Sequence, residues 1–226
     1  MLSTNFVPGA PNWVDLGTPD VDAAAAFYAA VFGWEFQSAG PDAGGYGIFR
    51  QDGKTVAAAG PLLGEGALPS WTIYFATQDA NATADAVKRA AGEVRADPFD
   101  VFTQGRMAQF TDPAGATAFY QAVFGWVTQD MPMGEFTYTV IRPAGGGEDS
   151  GQGGIMPLSP EMAAAGLTTR WQAYFEVADC DAAVAAAAQH GGTVTAPAED
   201  IPGVGRMASL ADPAGAPFAV ITSVAP

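Results

Sequence analysis

Histidine and cysteine each occur once in the 226 residues, and only nine lysines and arginines stand against 24 acidic residues. Each scarcity excludes something. The single cysteine, Cys180, cannot close an intramolecular disulfide, so nothing ties the chain to an oxidising compartment. It falls at the start of a predicted helix with no base near it in sequence, which reads as a passive thiol. The single histidine, His190, leaves no basis for a serine or cysteine nucleophile served by a histidine base. It sits at a predicted helix end, Gln189-His190-Gly191-Gly192, where it caps carbonyls and faces water. The formal charge of -15 repels phosphate backbones and anionic lipid, so neither nucleic acid nor a membrane surface is expected as a partner. Its plain consequence is solubility. No stretch approaches the ~20 apolar residues of a membrane span. The opening MLSTNFVPGAPNW has neither the basic region nor the apolar run of a signal peptide. The expected compartment is the cytoplasm. Gly145-Gly146-Gly147 lacks the lysine and helix of a phosphate loop, and no flavin or nicotinamide fingerprint is present.

What the chain does contain is itself, twice. Ala26-Phe27-Tyr28-Ala29-Ala30-Val31-Phe32-Gly33-Trp34 recurs as Ala118-Phe119-Tyr120-Gln121-Ala122-Val123-Phe124-Gly125-Trp126. Gly105-Arg106-Met107-Ala108 recurs as Gly205-Arg206-Met207-Ala208, and Asp112-Pro113-Ala114-Gly115-Ala116 as Asp212-Pro213-Ala214-Gly215-Ala216. Trp71 and Trp171 match, each followed by a Tyr-Phe pair. Motifs that recur in one order mark a duplication. The halves are 1–116 and 117–226.

Each half divides again into two units that read strand, helix, strands. In the first unit Asn12 to Gly17 alternates as a strand, and Thr18-Pro19-Asp20 caps a helix ending at Gly33. Short strands follow at Trp34 to Ser38, Tyr46 to Arg50 and Thr55 to Ala59. The second unit gives a strand at Trp71 to Thr77, a helix from Ala80 to Ala91, and strands near Glu93 to Ala96 and Arg106 to Phe110. The second half repeats the series, with strands near Val127 to Asp130, Thr137 to Ile141 and Ile155, and a glycine-rich acidic loop from Ala144 to Gly154. Pro157 to Thr169 reads as a linker. Trp171 to Val177 is a strand and Ala182 to Gln189 a helix. Strands near Thr193 to Ala196, Arg206 to Leu210 and Phe218 to Thr222 close the chain. One interval breaks the pattern. Ala118 follows the first Asp-Pro-Ala-Gly-Ala turn almost directly, so the closing strand of unit two and the opening strand of unit three have no counterpart. By repeat arithmetic about 20 residues or more are absent there, which leaves sheet edges bare.

The repeated strand-helix-strand-strand-strand units, the AFYxxVFGW helix and the DPxG turn resemble the vicinal-oxygen-chelate superfamily, the group of glyoxalases, bleomycin-resistance proteins and extradiol dioxygenases. The resemblance implies an α+β fold: tandem βαβββ units whose curved mixed sheets form cups, with helices outside and a ligand cavity within. It also implies where a divalent metal sits in enzymes of that group. The histidine position of the opening strand falls on Trp13, that of the second unit's first strand on Thr72, and its equivalent in the second half on Gln172. The glutamate position of the last strand falls on Ala219. Indole and methyl groups are not ligands, and only Gln172 has a donor suited to a hard cation. No metal or other cofactor is therefore expected.

Strand alternation places Trp13 with Asp15, Thr72 with Tyr74, and Gln172 with Tyr174 on cup-facing sides. Met107 and Gln109 point inward if Ala108 and Phe110 pack on a helix, and Met207 and Ser209 are their counterparts. Indole, phenol and thioether with a few hydrogen-bonding groups suit a flat, partly aromatic ligand. Arg106 and Arg206 hold equivalent places and read first as strand anchors paired to acids, with an anionic ligand as the other reading. The expected function is metal-free binding of a small organic molecule, an aromatic metabolite or antibiotic, by a monomer or homodimer. Two readings stand beside it: a metal-dependent lyase or dioxygenase of the same superfamily, and an interaction module whose cups are filled by side chains.

Overall fold

The structure is a computed structural model, and it describes residues 6–64, 66–101, 104–147, 150–164 and 166–224. The first five residues of the N-terminal stretch, and 148–149 of the expected acidic loop, lie outside the described residues.

The first unit follows the sequence closely. Strand β1, Pro11–Thr18, buries Val14, Leu16 and Thr18 on one face and leaves Trp13 and Asp15 on the other. Period-2 alternation makes one strand both a core wall and a site wall. Helix α1, Val21–Phe32, starts where the Asp20 carboxylate accepts the Ala23 amide at 2.9 Å. It stops where Gly33 turns left-handed, at φ 70°, and returns its amide to the Ala29 carbonyl. Strands β2 (Glu35–Ser38), β3 (Gly47–Gln51) and β4 (Lys54–Pro61) form an antiparallel meander. Strand β1 runs parallel to β4, and β5 (Ser70–Phe75) completes a sheet in the order β2-β3-β4-β1-β5.

Helix α2, Ala80–Arg89, is capped by Asp79 and leads to the hairpin of β6 (Glu93–Val101) and β7 (Gly105–Thr111). Helix α3, Ala116–Phe124, precedes β8 (Val127–Met133), β9 (Phe136–Arg142) and β10 (Gly153–Ile155), which lie in the order β10-β9-β8. After the short helix α4, Pro160–Ala164, come β11 (Tyr174–Glu176) and α5 (Cys180–Gln189). Strands β12 (Thr193–Ile201), β13 (Gly205–Ala211) and β14 (Pro217–Ser223) then form a sheet with β11 in the order β11-β14-β13-β12. The α+β class and the βαβββ grammar hold.

The missing stretch leaves visible scars. Three helices begin at an aspartate that accepts backbone amides, Asp20, Asp79 and Asp179. Helix α3 begins instead at Gly115, without a side-chain cap, and runs straight out of the turn, with the Phe119 amide on the Gly115 carbonyl. It is nine residues long where α1 is twelve. Strand β13 is bonded along both edges, to β12 and β14, whereas among the described residues β7 is bonded only to β6. Strand β11 spans three residues rather than the expected Trp171 to Val177. Among the described residues it pairs only with β14, which leaves its other edge without a ladder.

Among the described residues no sheet mixes strands of the halves 1–116 and 117–226. Packing groups the chain differently, into one compact unit of 13–74 with 170–224 and another of 6–12 with 75–169. The first unit is built around Phe27, Tyr28, Trp34, Phe49, Trp71 and Phe218. Tyr28 is fully buried and touches six other aromatic rings, those of Phe27, Phe32, Trp34, Phe49, Trp71 and Phe218, within 6.0 Å of centroid separation. Its hydroxyl accepts the Trp71 indole N–H at 3.0 Å and donates to the buried Asp212 carboxylate at 3.2 Å. Asp212 in turn accepts the amides of Ala214 and Ala216. The recurring tyrosine, tryptophan and Asp-Pro-Ala-Gly-Ala turn thus meet as one buried polar chain among rings. The second unit buries Val87, Phe119, Tyr120, Trp126 and Ile141. There Phe75 packs on Phe124 and Trp126, and the Trp126 indole donates to the Gly9 carbonyl at 2.8 Å.

Candidate functional site

The exposed face of β1 carries the most unusual chemistry of the first unit. The Trp13 indole N–H donates to the Tyr46 hydroxyl at 3.3 Å, and that hydroxyl donates to Asp15 Oδ2 at 3.4 Å. Tyr74, on β5, hydrogen-bonds the same carboxylate. Tyr46 reaches it from the turn before β3 because its ring lies over Gly60. A Cβ at Gly60 would stand 2.9 Å from Tyr46 Cδ2, so only glycine leaves room for the ring on β4.

Burial raises the Asp15 carboxyl to about 6, against the opposing pull of the Tyr74 and Tyr46 hydroxyls. Burial and the neighbouring Asp15 charge push the Tyr46 phenol up to about 12. The Tyr46 phenol therefore stays protonated as a donor, and the carboxylate beside it titrates close to neutrality. None of the three ion pairs among the described residues uses Asp15.

A second polar group lies on the segment leading into β11 and on β13 of the same unit, at a different sheet. Gln172 donates to the Ser209 hydroxyl at 3.3 Å and accepts from Arg170 at 3.3 Å. Tyr174 is half exposed, and its partial burial raises the phenol, with Arg170 pulling the other way. Met207 and Ser209 share a face opposite the buried Ala208 and Leu210. Thr72 is exposed on β5, beside Tyr74 in sequence. Met107 and Gln109 belong to the other compact unit, on β7, where they pair with Phe99 and Ala96 of the β6 hairpin arm. The expected site residues thus fall into three groups: Trp13, Asp15, Thr72 and Tyr74; Gln172, Tyr174, Met207 and Ser209; and Met107 with Gln109.

Tyr46 and Arg170 were not legible as site residues. Tyr46 heads the strand expected at Tyr46 to Arg50, but the structure begins β3 one residue later, at Gly47, and Arg170 falls between the expected linker, Pro157 to Thr169, and the strand expected from Trp171. Gly60 was the available signal for the first, a glycine inside an otherwise alanine-rich strand. The remaining singular residues are structural. Arg106 binds Asp100 at 2.9 Å, and Arg206 binds Asp181 through two nitrogens and Asp200 through a third. His190 closes α5 with its Nδ1 2.8 Å from the Ala186 carbonyl. Cys180 is buried, and desolvation raises its thiol.

The donor set does not fit the divalent metal of the superfamily's enzymes. Trp13 offers an N–H that is already donated, Gln172 is engaged on both ends of its amide, and Ala219 is a buried methyl. Among the described residues no three histidine, cysteine, aspartate or glutamate side chains gather around one point.

Two βαβββ modules whose first and last strands run parallel, β1 with β4 and β11 with β14, define the fold class. Family comparison agrees. Residues 10–118 match the Glyoxalase/Bleomycin resistance protein/Dioxygenase superfamily, and residues 106–221 match a glyoxalase-like domain. The anthracycline biosynthesis protein DauV of Streptomyces sp. (strain C5) is 37% identical, over 96% of this chain and 94% of its own. CFP32 of Mycobacterium tuberculosis (strain CDC 1551 / Oshkosh), named as a glyoxylase, is 35% identical over 96% of both chains. The chain belongs to the glyoxalase/bleomycin resistance protein/dioxygenase superfamily. The alignment with DauV runs over 265 positions, more than the 226 residues of this chain, so a stretch of that relative has no counterpart here. Among solved structures, 2,2',3-trihydroxybiphenyl 1,2-dioxygenase of Sphingomonas wittichii strain RW1 superposes with a TM-score of 0.61 at 13% identity, covering 96% of this chain and 91% of its own. At that identity the likeness is one of fold.

Proposed function

We propose that this chain binds a small, partly aromatic organic molecule without a metal, sequestering an aromatic metabolite or antibiotic. The observation that carries the reading is Trp13. Where the superfamily's enzymes place a ligand, this strand places an indole hydrogen-bonded to Tyr46, beside a carboxylate that two phenols hold. Flat aromatic surface with convergent polar groups suits a planar ligand. Two relatives bear the name of anthracycline biosynthesis proteins, and anthracyclines are planar aromatic compounds. We assign the two cups to 1–116 and 117–226, the compartment to the cytoplasm, and the assembly to a monomer or homodimer. No described helix is long and apolar enough to cross a membrane. The reading of a metal-dependent lyase or dioxygenase meets the objection of the donor set.

The test is a thermal-shift series with an anthracycline and simpler polycyclic aromatics on chelator-treated protein. A concentration-dependent rise in Tm is expected, of about 2.7 kcal/mol of added stability at a hundredfold excess over Kd. A flat response across the series refutes the proposal.

A further inference from the structure

Asp15 differs from the buried Asp212 and from the exposed aspartates of the ion pairs among the described residues. Asp212, the other buried aspartate described here, accepts the backbone amides of Ala214 and Ala216 as well as the Tyr28 hydroxyl. It closes a turn and is enclosed by core, at 3% exposure. Asp100, Asp181 and Asp200 each face an arginine. Among the described residues Asp15 has neither backbone donors nor a cation. Its partners are the hydroxyls of Tyr46, from the turn before β3, and Tyr74, from β5. The neighbouring strand β4 brings only Ala57, Ala58 and Ala59 alongside, with Asp15 in register with Ala58. Arg50, the nearest arginine in sequence on this sheet, is engaged by Gln37 and by the Gly53 carbonyl. On its own strand the flanking side chain of the same face is Trp13, which donates to Tyr46.

An ionised carboxylate offers about four acceptor positions, and two neutral phenols fill half of them. Its charge is left without a counter-charge in a partly desolvated place, a costly arrangement that persists where something binds. Three aromatic side chains surround it: Trp13, Tyr46 and Tyr74. Indole and phenol rings attract cations as well as flat hydrocarbons. The formal charge of -15 enriches organic cations near the surface and disfavours anions.

Resting on the binding reading above, we infer that the Trp13–Asp15–Tyr46–Tyr74 group is an ammonium subsite, and that the ligand class is an aromatic molecule bearing a protonated amine. The ammonium takes the free acceptor positions of Asp15 and supplies the missing counter-charge. The aromatic body lies along the Trp13 side of the strand face. Because the ammonium favours the ionised carboxylate, affinity is full above the Asp15 titration and falls as pH drops through about 6.

Two near-isosteric probes test this on the full chain: 1-naphthylmethylamine, protonated at neutral pH, and 1-naphthalenemethanol, which carries a hydroxyl in its place. Calorimetric titration at pH 7.5 should show the amine binding about tenfold tighter or more, the scale of one charge-assisted hydrogen bond over a neutral one. The advantage should shrink to about twofold or less at pH 5 and in Asp15→Asn at pH 7.5. The pH arm uses the unaltered chain, so the result does not depend on how the variant folds. Equal affinities for the two probes at pH 7.5 overturn the ammonium subsite while leaving the binding reading intact. So does a tighter alcohol, which assigns Asp15 to a ligand hydroxyl. An amine advantage that survives both pH 5 and Asp15→Asn also overturns it. Failure of both probes, together with the polycyclic series above, overturns the binding reading itself.

Discussion

Replacing Tyr28 by phenylalanine removes one oxygen atom from the middle of a buried polar chain. The ring stays, and with it the contacts to Phe32, Trp34, Phe49, Trp71 and Phe218. What is lost is the acceptor for the Trp71 N–H at 3.0 Å and the donor to Asp212 at 3.2 Å. Tyr28 is fully buried and Trp71 is 5% exposed, so water does not replace the missing atom. A buried donor left unsatisfied costs about 1–3 kcal/mol, and loss of a hydrogen bond to a charged acceptor about as much again. Asp212 keeps its backbone amides, which limits the second part. The expected loss at pH 7 is therefore about 2–4 kcal/mol, measured by urea unfolding as a fall in midpoint at unchanged slope. The pH dependence carries a second check. Burial raises the Asp212 carboxyl, and the Tyr28 hydroxyl opposes that rise by favouring the charged form. Removing the hydroxyl penalises only the ionised carboxylate, so the cost of Tyr28→Phe is larger at pH 7 than at acid pH, where Asp212 is protonated in both proteins. A loss below about 0.5 kcal/mol at pH 7, or one that grows on acidification, refutes this account of the core.

Three further outcomes follow from the same structure. Asp15→Asn should stabilise the free protein at pH 7–8 by on the order of 1–2 kcal/mol and do little at pH 4, because a carboxyl raised to about 6 loses stability as pH climbs from its unfolded value through that point; chemical denaturation at the two pH values reads it. Amide exchange along β7 should be faster than along β13 at equivalent positions, since β13 is bonded on both edges and β7, among the described residues, on one. Asp179→Ala should cost about 1 kcal/mol by removing the acceptor for the Ala182 amide, seen as a lower denaturation midpoint.

Much of this was legible before any coordinate because the duplication is written in local chemistry. The register of β6 on β7 and of β12 on β13 is the same at an offset of one hundred residues. Glu93 faces Thr111 as Thr193 faces Ala211, and the two hairpins share their irregular places after Val94 and Val194. Caps at Asp20, Asp79 and Asp179 and the stop at Gly33 are likewise one-residue decisions. The alternation of β1 sufficed to put Trp13 and Asp15 on the face away from Val14 and Leu16. The rest depends on distant partners. Tyr46 joins Asp15 from 31 residues away, through a turn whose ring position is set by Gly60. Strand β11 spans three residues and, among the described residues, pairs only with β14, a fact of the sheet rather than of Trp171 to Val177. That 13–74 packs with 170–224 reflects which faces meet, and no window of sequence contains both.

The central claim is that Trp13 and its neighbours form a ligand site that works without a metal. Calorimetric titration of a planar aromatic amine into protein stripped with chelator, repeated after adding back manganese, iron, nickel or zinc, tests it most directly. The account predicts the same affinity and a 1:1 stoichiometry in every case. Binding that appears only once a divalent ion is restored would contradict it.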